Sequence, residues 1–294
     1  MKNFFLKHNY LNRLTRLTPL TPFFQSGQIV LITLLVLALA TTIALSLISR
    51  TTTDLAMTNQ IEESAIAFSA AEAGIEEALK SGLGTAGAQV LTGGQTYQVN
   101  VVDFGGATGV FEYPRKTPLG SVENLWLVNH NSDGSLNETP TFTTNSIDLC
   151  WSKESAIPAV VATILYKRNG ILYLAKAAFD PDAGRYTTDK FAYGGLAGTH
   201  CGKTNMYLRT LTFSAFGITP ATDTLIALRL RPVYSETKFM IDPKGGTIPL
   251  QGKRIESSGS TPVGVTRKIV VFQGYRAPSS LFDAVLYSQG NLVK

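Results

Sequence analysis

Gln28-Ile-Val-Leu-Ile-Thr-Leu-Leu-Val-Leu-Ala-Leu-Ala-Thr-Thr-Ile-Ala-Leu-Ser-Leu-Ile-Ser49 contains no charged residue. At a rise of about 1.5 Å per residue, a helix of this length reaches roughly 30 Å, the thickness of a bilayer's hydrocarbon core, whereas the apolar part of a secretory signal stops at about 7–15 residues. The stretch is therefore expected to remain as a transmembrane helix over residues 28–49. Lys2, Lys7, Arg13 and Arg16 precede it, and Arg50 follows it. The positive-inside bias then puts the N-terminus in the cytoplasm and residues 51–294 outside, as a single-pass inner-membrane protein with an extracytoplasmic head.

The helical pattern continues past Arg50. Ile61, Ala65, Phe68, Ile75 and Leu79 fall at spacings of three, four or seven, while Asn59, Gln60, Glu62, Glu63, Glu76, Glu77 and Lys80 occupy other faces. That period predicts one apolar stripe on a helix. No proline lies between Pro22 and Pro114, and Ser81-Gly-Leu-Gly84 supplies a stop. One helix is expected over 28–80, lipid-like in its first half and amphipathic in its second. Gly74, its one interior glycine in the second half, costs about 1 kcal/mol relative to alanine unless packing offsets it.

The formal charge of +5 is local to the N-terminus. Residues 1–53 hold five bases and no acid, leaving 21 bases against 21 acids in the remainder. A neutral bulk offers no phosphate-neutralising surface, so no nucleic-acid partner is expected.

Ser26-Gly27-Gln28-Ile29 places a small residue and a glycine where a basic leader meets the apolar run, not after the run where signal peptidase cuts. Cleavage after Gly27 would keep the helix; an uncleaved signal anchor with an incidental glycine is the alternative. The leader ending in glycine, the long helix beginning directly after it, and Ser69-Ala-Ala-Glu72-Ala-Gly74-Ile-Glu76 together resemble the N-terminal region of PilX-type minor pilins of type IV pili. GspK-type pseudopilins of type II secretion are related. The C-terminal segments Ile255-Glu-Ser-Ser-Gly, Thr266-Arg-Lys-Ile-Val-Val and Ser280-Leu-Phe-Asp-Ala-Val-Leu-Tyr-Ser are similar more loosely.

The resemblance implies a prepilin-type leader over 1–27, cut after Gly27 by a prepilin peptidase that methylates Gln28. It implies a helix that leaves the membrane for a filament core. The implied partners are other pilins, the peptidase, membrane lipid, and an inner-membrane assembly platform with its motor ATPase. Most major pilins carry glutamate at the fifth mature position, where its carboxylate pairs with a neighbour's terminal amine; this chain has Ile32. A subunit without that charge is poorly suited to adding beneath another, as in the priming and tip subunits of the family. Arg50, Glu72 and Gly74 are the further assembly-helix candidates. The expectation is a non-enzymatic minor pilin without cofactor, priming or capping a surface pilus or mediating adhesion. A type II pseudopilin, or a bitopic receptor or adhesin that is never assembled, are the alternatives.

From residue 81 to 294 the period changes to that of a β-rich extracytoplasmic head. Gln95–Val102, Asn124–Asn129, Ser146–Trp151, Leu208–Phe216 and Thr224–Pro232 show two-residue alternation or β-rich composition. In Thr163-Ile-Leu-Tyr-Lys-Arg-Asn-Gly-Ile-Leu-Tyr-Leu-Ala-Lys176, Asn169-Gly170 predicts a type I′ hairpin, which needs positive φ at both central residues. An α+β fold is expected, with 9–12 antiparallel strands packed partly on the second half of the helix.

Cys150 and Cys201 are the only cysteines and lie on the expected extracytoplasmic side. An even pair in an oxidising compartment favours a disulfide, with two buried thiols in a reducing setting as the alternative. Ala197-Gly-Thr-His-Cys-Gly-Lys-Thr204 loosely fits a phosphate-binding loop, but a strand pattern follows where the mechanism needs a helix, so a turn is expected. Asn129, Asn131 and Asp133 have the oxygen-rich spacing of a calcium loop, yet Pro140 stands where the bidentate glutamate belongs. Asx-turn chemistry explains the same residues, with calcium as the competing reading. Only His130 and His200 lie in the head, with no nucleophile elbow beside either. Asn137-Glu-Thr139 is a glycosylation sequon, read as an ordinary loop.

Overall fold

The computed structural model describes residues 26–279. The expected leader, apart from Ser26 and Gly27, and the segment Ser280–Ser288 quoted above lie outside the described residues. Helix α1 runs Ser26–Ser81 without a break. Sixteen strands follow among the described residues: β1 Gln89–Val90, β2 Thr96–Gly105, β3 Phe111–Glu112, β4 Glu123–Trp126, β5 Asn129–His130, β6 Leu136–Asn137, β7 Ser146–Ser152 and β8 Ala159–Arg168. After these come β9 Ile171–Asp180, the short helix α2 Tyr186–Asp189, β10 Ala192–Tyr193, β11 Leu196–His200 and β12 Lys203–Thr212. β13 Thr224–Val233, β14 Phe239–Asp242, β15 Leu250–Ser260 and β16 Thr266–Gly274 complete the order. The fold is α+β: one long N-terminal apolar helix and a β-rich, largely antiparallel domain.

The chain divides into two units, Met1–Glu62 and Glu63–Lys294. Within the second, two five-stranded sheets, β10-β9-β8-β13-β4 and β11-β12-β7-β14-β3, share one core. Alternation builds it: β8 contributes Val160, Ala162 and Ile164, and β7 contributes Ile147, Leu149 and Trp151. The buried Trp151 indole donates to the Pro158 carbonyl at 3.0 Å, so the largest core side chain keeps its polar atom satisfied. A third sheet, β1-β2-β15-β16, carries the helix.

Gln251 at the start of β15 ties that third sheet to the edge of the sandwich. It accepts from Trp126 N at 2.7 Å and donates to Trp126 O at 2.9 Å, pairing the open edge of β4 as a neighbouring strand would. Two ion pairs between buried carboxylates and partly exposed arginines pin loops. Arg168 Nε and Nη2 donate to Asp223 at 2.8 and 2.6 Å. Those bonds hold the Asp223 carboxyl below the usual carboxylate range against the opposing effect of burial. Burial alone would raise Asp180, but Arg185 at 2.7 Å and the Asp182 N–H outweigh it, and this carboxyl is also held low.

The Asn169-Gly170 turn is as expected, with φ of 49° and 81° between β8 and β9. Two expectations are corrected. Five of the sixteen strands are two-residue pairings, too short to leave a pattern, which is why the expected 9–12 falls short. The expected strand Leu208–Phe216 ends at Thr212 and tightens into a 3-10 turn, Phe213–Phe216, closed by Gly217 at φ 68°. Phe213 enters the core from that turn, so alternation in burial persists without an extended backbone.

Candidate functional site

The second half of α1 is seated on the sheet β1-β2-β15-β16. Ala67, Ala70, Ala71, Ile75 and Ala78 are buried, and Ile75 and Ala78 cluster with Val99 of β2 and Ile255 of β15. The contact is unusually close because it is made of small residues. A Cβ on Gly259 would lie 2.1 Å from the Ala67 carbonyl oxygen and 2.4 Å from the Ala71 nitrogen, both backbone atoms. On the helix side, a Cβ on Gly74 would lie 2.3 Å from Ser257 Oγ and 2.9 Å from Val99 Cγ2. Gly74 is thus required by packing, which offsets its helix propensity cost.

Polar groups fix the two ends of the seat. Arg267 Nε donates to Ser64 Oγ at 2.7 Å near its start. At the helix end Gly82 takes φ 71°, returns its N–H to Ala78 O, and its own carbonyl receives Lys253 Nζ at 2.8 Å. A cation at that terminus also suits the negative end of the helix dipole.

The expected apolar stripe is therefore corrected. Of Ile61, Ala65, Phe68, Ile75 and Leu79, only Ile75 is buried; Ile61 is 70%, Phe68 47% and Leu79 45% exposed. The sheet takes the face whose side chains allow backbone approach, and the larger apolar residues are left facing outward with the exposed Glu72 among them. Residues 28–50 are exposed throughout, Ile32 and Arg50 included. Its most apolar window has a mean hydropathy of 2.6, and the helix is long and apolar enough to cross a membrane. Thr33, Thr41 and Thr42 return their hydroxyls to carbonyls three or four residues earlier at 2.8–3.0 Å, so these three hydroxyls are satisfied within the helix itself. Gly27 and Gln28 lie in the first turns of the helix.

Comparison with known proteins finds no matching family model, curated protein or solved structure.

The remaining candidates are spread over the head. Cys150 in β7 and Cys201 in the β11–β12 turn are joined by a disulfide with a Cα–Cα distance of 6.4 Å. Ala197–Thr204 is that same hairpin, with Cys201 and Gly202 at positive φ, and offers no helix N-terminus to a phosphate. Asn129, Asn131 and Asp133 do not converge: the Asn129 amide donates to Thr141 Oγ1, Asn131 to Ser135 Oγ, and Asp133 accepts from Ser135 N and Oγ. Asn131 and Asp133 lie in the turn of the β5–β6 hairpin while Asn129 sits at its base opposite Asn137, and no cluster of metal-binding side chains is found among the described residues. In the sequon, Asn137 Oδ1 accepts from Thr139 N.

Sequence reasoning missed Gly259 and Lys253. A glycine inside a strand signals close backbone approach, and Gly259 in Ile255-Glu-Ser-Ser-Gly carried that signal.

Proposed function

We propose that this chain is a minor-pilin-like subunit, held first in the inner membrane by residues 28–49 and then inserted by the same helix into a filament. The observation that carries the reading is one uninterrupted helix with two surfaces. Its small-residue face near Ala67–Ala78 is occupied by the chain's own sheet, while its apolar first half and the Ile61, Phe68, Leu79 stripe are exposed. Such an exposed apolar helix is stable only in lipid or against other helices. Lateral packing in a helical bundle exchanges the first for the second, leaving the disulfide-bonded head outward. Ile32 in place of an acidic residue favours a priming or terminal position, because it brings no carboxylate to pair with a neighbour's amine.

The test is the intact mass and N-terminal sequence of the protein from membranes and from sheared surface filaments. A chain beginning at methylated Gln28 in the sheared fraction is the expected result. A chain retaining residues 1–27 and confined to membranes would refute assembly and leave a bitopic surface protein.

A further inference from the structure

Sheet edges are where a β-rich domain is open to further pairing, because an edge strand carries a row of unpaired N–H and C=O groups. Most edges among the described residues are blunted. β1 and β3 are two residues long, the edge of β4 is bonded by Gln251, and β11 shifts register between Gly198 and His200. β16 is longer but carries the exposed Arg267 and Lys268. β9 is the exception. Only β10 lies outside it, pairing with it at Phe179 and Asp180 alone, and its own pairing with β8 runs without a bulge. From Asn169 to Ala175 the chain has no charge and no proline. Ile171, Leu172, Tyr173 and Leu174 are 59%, 59%, 40% and 69% exposed, so apolar side chains stand on both faces of an open strand.

The backbone there is set for a further strand. Arg168 and Ile171 pair across the two-residue turn. In the alternating antiparallel ladder, Ile171, Tyr173 and Ala175 then direct their N–H and C=O groups to β8, while Leu172 and Leu174 direct theirs to the open edge. The Asp180 carbonyl, in the same phase as Leu172 and Leu174, receives the Gly194 N–H at 3.2 Å where the chain does pass alongside. Side chains follow the same alternation. Leu172 and Leu174 lie opposite Lys167 and Leu165 on the face away from the core, and Tyr173 stacks on Tyr166 at 5.5 Å on the other.

The uncharged run Ile171–Ala175 is centred on Tyr173. An antiparallel second copy with its twofold axis at that residue sets Leu172 against the other copy's Leu174, and Leu174 against its Leu172, each pair exchanging two backbone hydrogen bonds. On the opposite face the two Tyr173 rings meet, with Ile171 beside Ala175. Both exposed leucines of each copy are covered at once, and no charge faces a like charge, since Lys176 falls opposite Gly170. A charged partner would find no complement along this edge, whereas the strand's own uncharged run fits itself. We propose that β9 is a homotypic docking edge, through which the heads of two copies of this chain join their five-stranded sheets into one continuous sheet. The pairing belongs to the head and stands whether or not the helix enters a filament.

The experiment is disulfide trapping of the full chain in membranes of cells that express it. Cys150 and Cys201 are bonded to each other, so Tyr173→Cys adds a single thiol. At a twofold axis through a non-hydrogen-bonded pair the two Cα atoms lie about 4.5 Å apart, within the roughly 4.4–6.8 Å that a disulfide spans. Under mild oxidation with copper phenanthroline, Tyr173→Cys is expected to yield a cross-linked dimer about tenfold faster than Val263→Cys, which is 70% exposed in the turn between β15 and β16. Adding Leu174→Asp should slow the cross-link about tenfold, because each carboxylate would be buried against the other copy's Leu172. The exposed position of Leu174 keeps the fold out of that comparison. A rate no higher than that of Val263→Cys overturns the proposal, as does a rate that Leu174→Asp leaves unchanged. A mixed disulfide with a different protein in place of the dimer also overturns it. So does protection of the Leu172 and Leu174 amides in a monomeric chain that is lost on truncation after Ser279, which would give the edge to residues 280–294.

Discussion

Placing one methyl group on Gly259 tests the helix seat directly. In Gly259→Ala the new Cβ would lie 2.1 Å from Ala67 O and 2.4 Å from Ala71 N. Neither is the tip of a flexible side chain; both belong to the hydrogen-bonded backbone of α1. Restoring van der Waals distance requires helix and sheet to separate by about 1 Å, and a gap of that size forfeits roughly a quarter to a half of each dispersion contact across it. Overpacking of this kind costs about 1–3 kcal/mol, and the rigid neighbours here put the expected loss near 3 kcal/mol. For a domain of this size that is a fall in melting temperature of roughly 6–12 °C. The comparison is Gly87→Ala, where a Cβ meets nothing within 4 Å, so the change should be within about 0.5 kcal/mol of the parent or slightly stabilising. Urea unfolding of the full chain in detergent, followed by near-ultraviolet circular dichroism, measures both. Hydrogen exchange of amides 67–78 reports whether the loss is at the seat. If the two variants unfold within 0.5 kcal/mol of each other, the backbone-on-backbone seat is refuted.

Three further outcomes are expected. Gln251→Leu strips the Trp126 N–H and C=O of their partners and should destabilise by about 2–4 kcal/mol in urea titrations, with Gln251→Glu intermediate if it retains the acceptor. Replacing both Cys150 and Cys201 by alanine opens a loop of sequence separation 51, for which chain entropy gives up to about 4 kcal/mol; unfolding with and without reductant should show that difference in the parent and none in the double variant. Asp223 and Asp180 have carboxyls held low in the folded state, so their contribution is present above the unfolded value of about 3.9 and fades as pH falls through their folded values. Stability measured from pH 5 downward should fall, and Asp223→Asn should flatten that fall while lowering stability at pH 7.

What the sequence made legible were the features carried by neighbouring residues. A charge-free run over 28–49 announces a helix by composition, and Asn169-Gly170 announces its hairpin because few other pairs accept positive φ twice in succession. The pairing of the two cysteines was favoured by their even number taken with the expected oxidising compartment, and the disulfide bears it out. The face of α1 that packs was not legible: periodicity pointed to the bulky stripe through Phe68, whereas the choice depends on Gly259, nearly two hundred residues away. Hydrophobic patterns assume that larger apolar side chains are buried first, and they misread an interface whose close approach rests on alanine and glycine.

The attachment of α1 also has a mechanical meaning. Tension applied through the helix enters the rest of the molecule by two routes: covalently, through the turn after Ser81 into β1 and β2, and laterally, through the Ala67–Ala78 face onto β15. Both end in the same sheet, where β15 is bonded along each edge, to β2 on one side and to β16 on the other. The load is therefore met first by strands that share it, and it reaches the disulfide-linked sandwich through the chain connections β2–β3 and β14–β15 and through the bonds of Gln251 to Trp126.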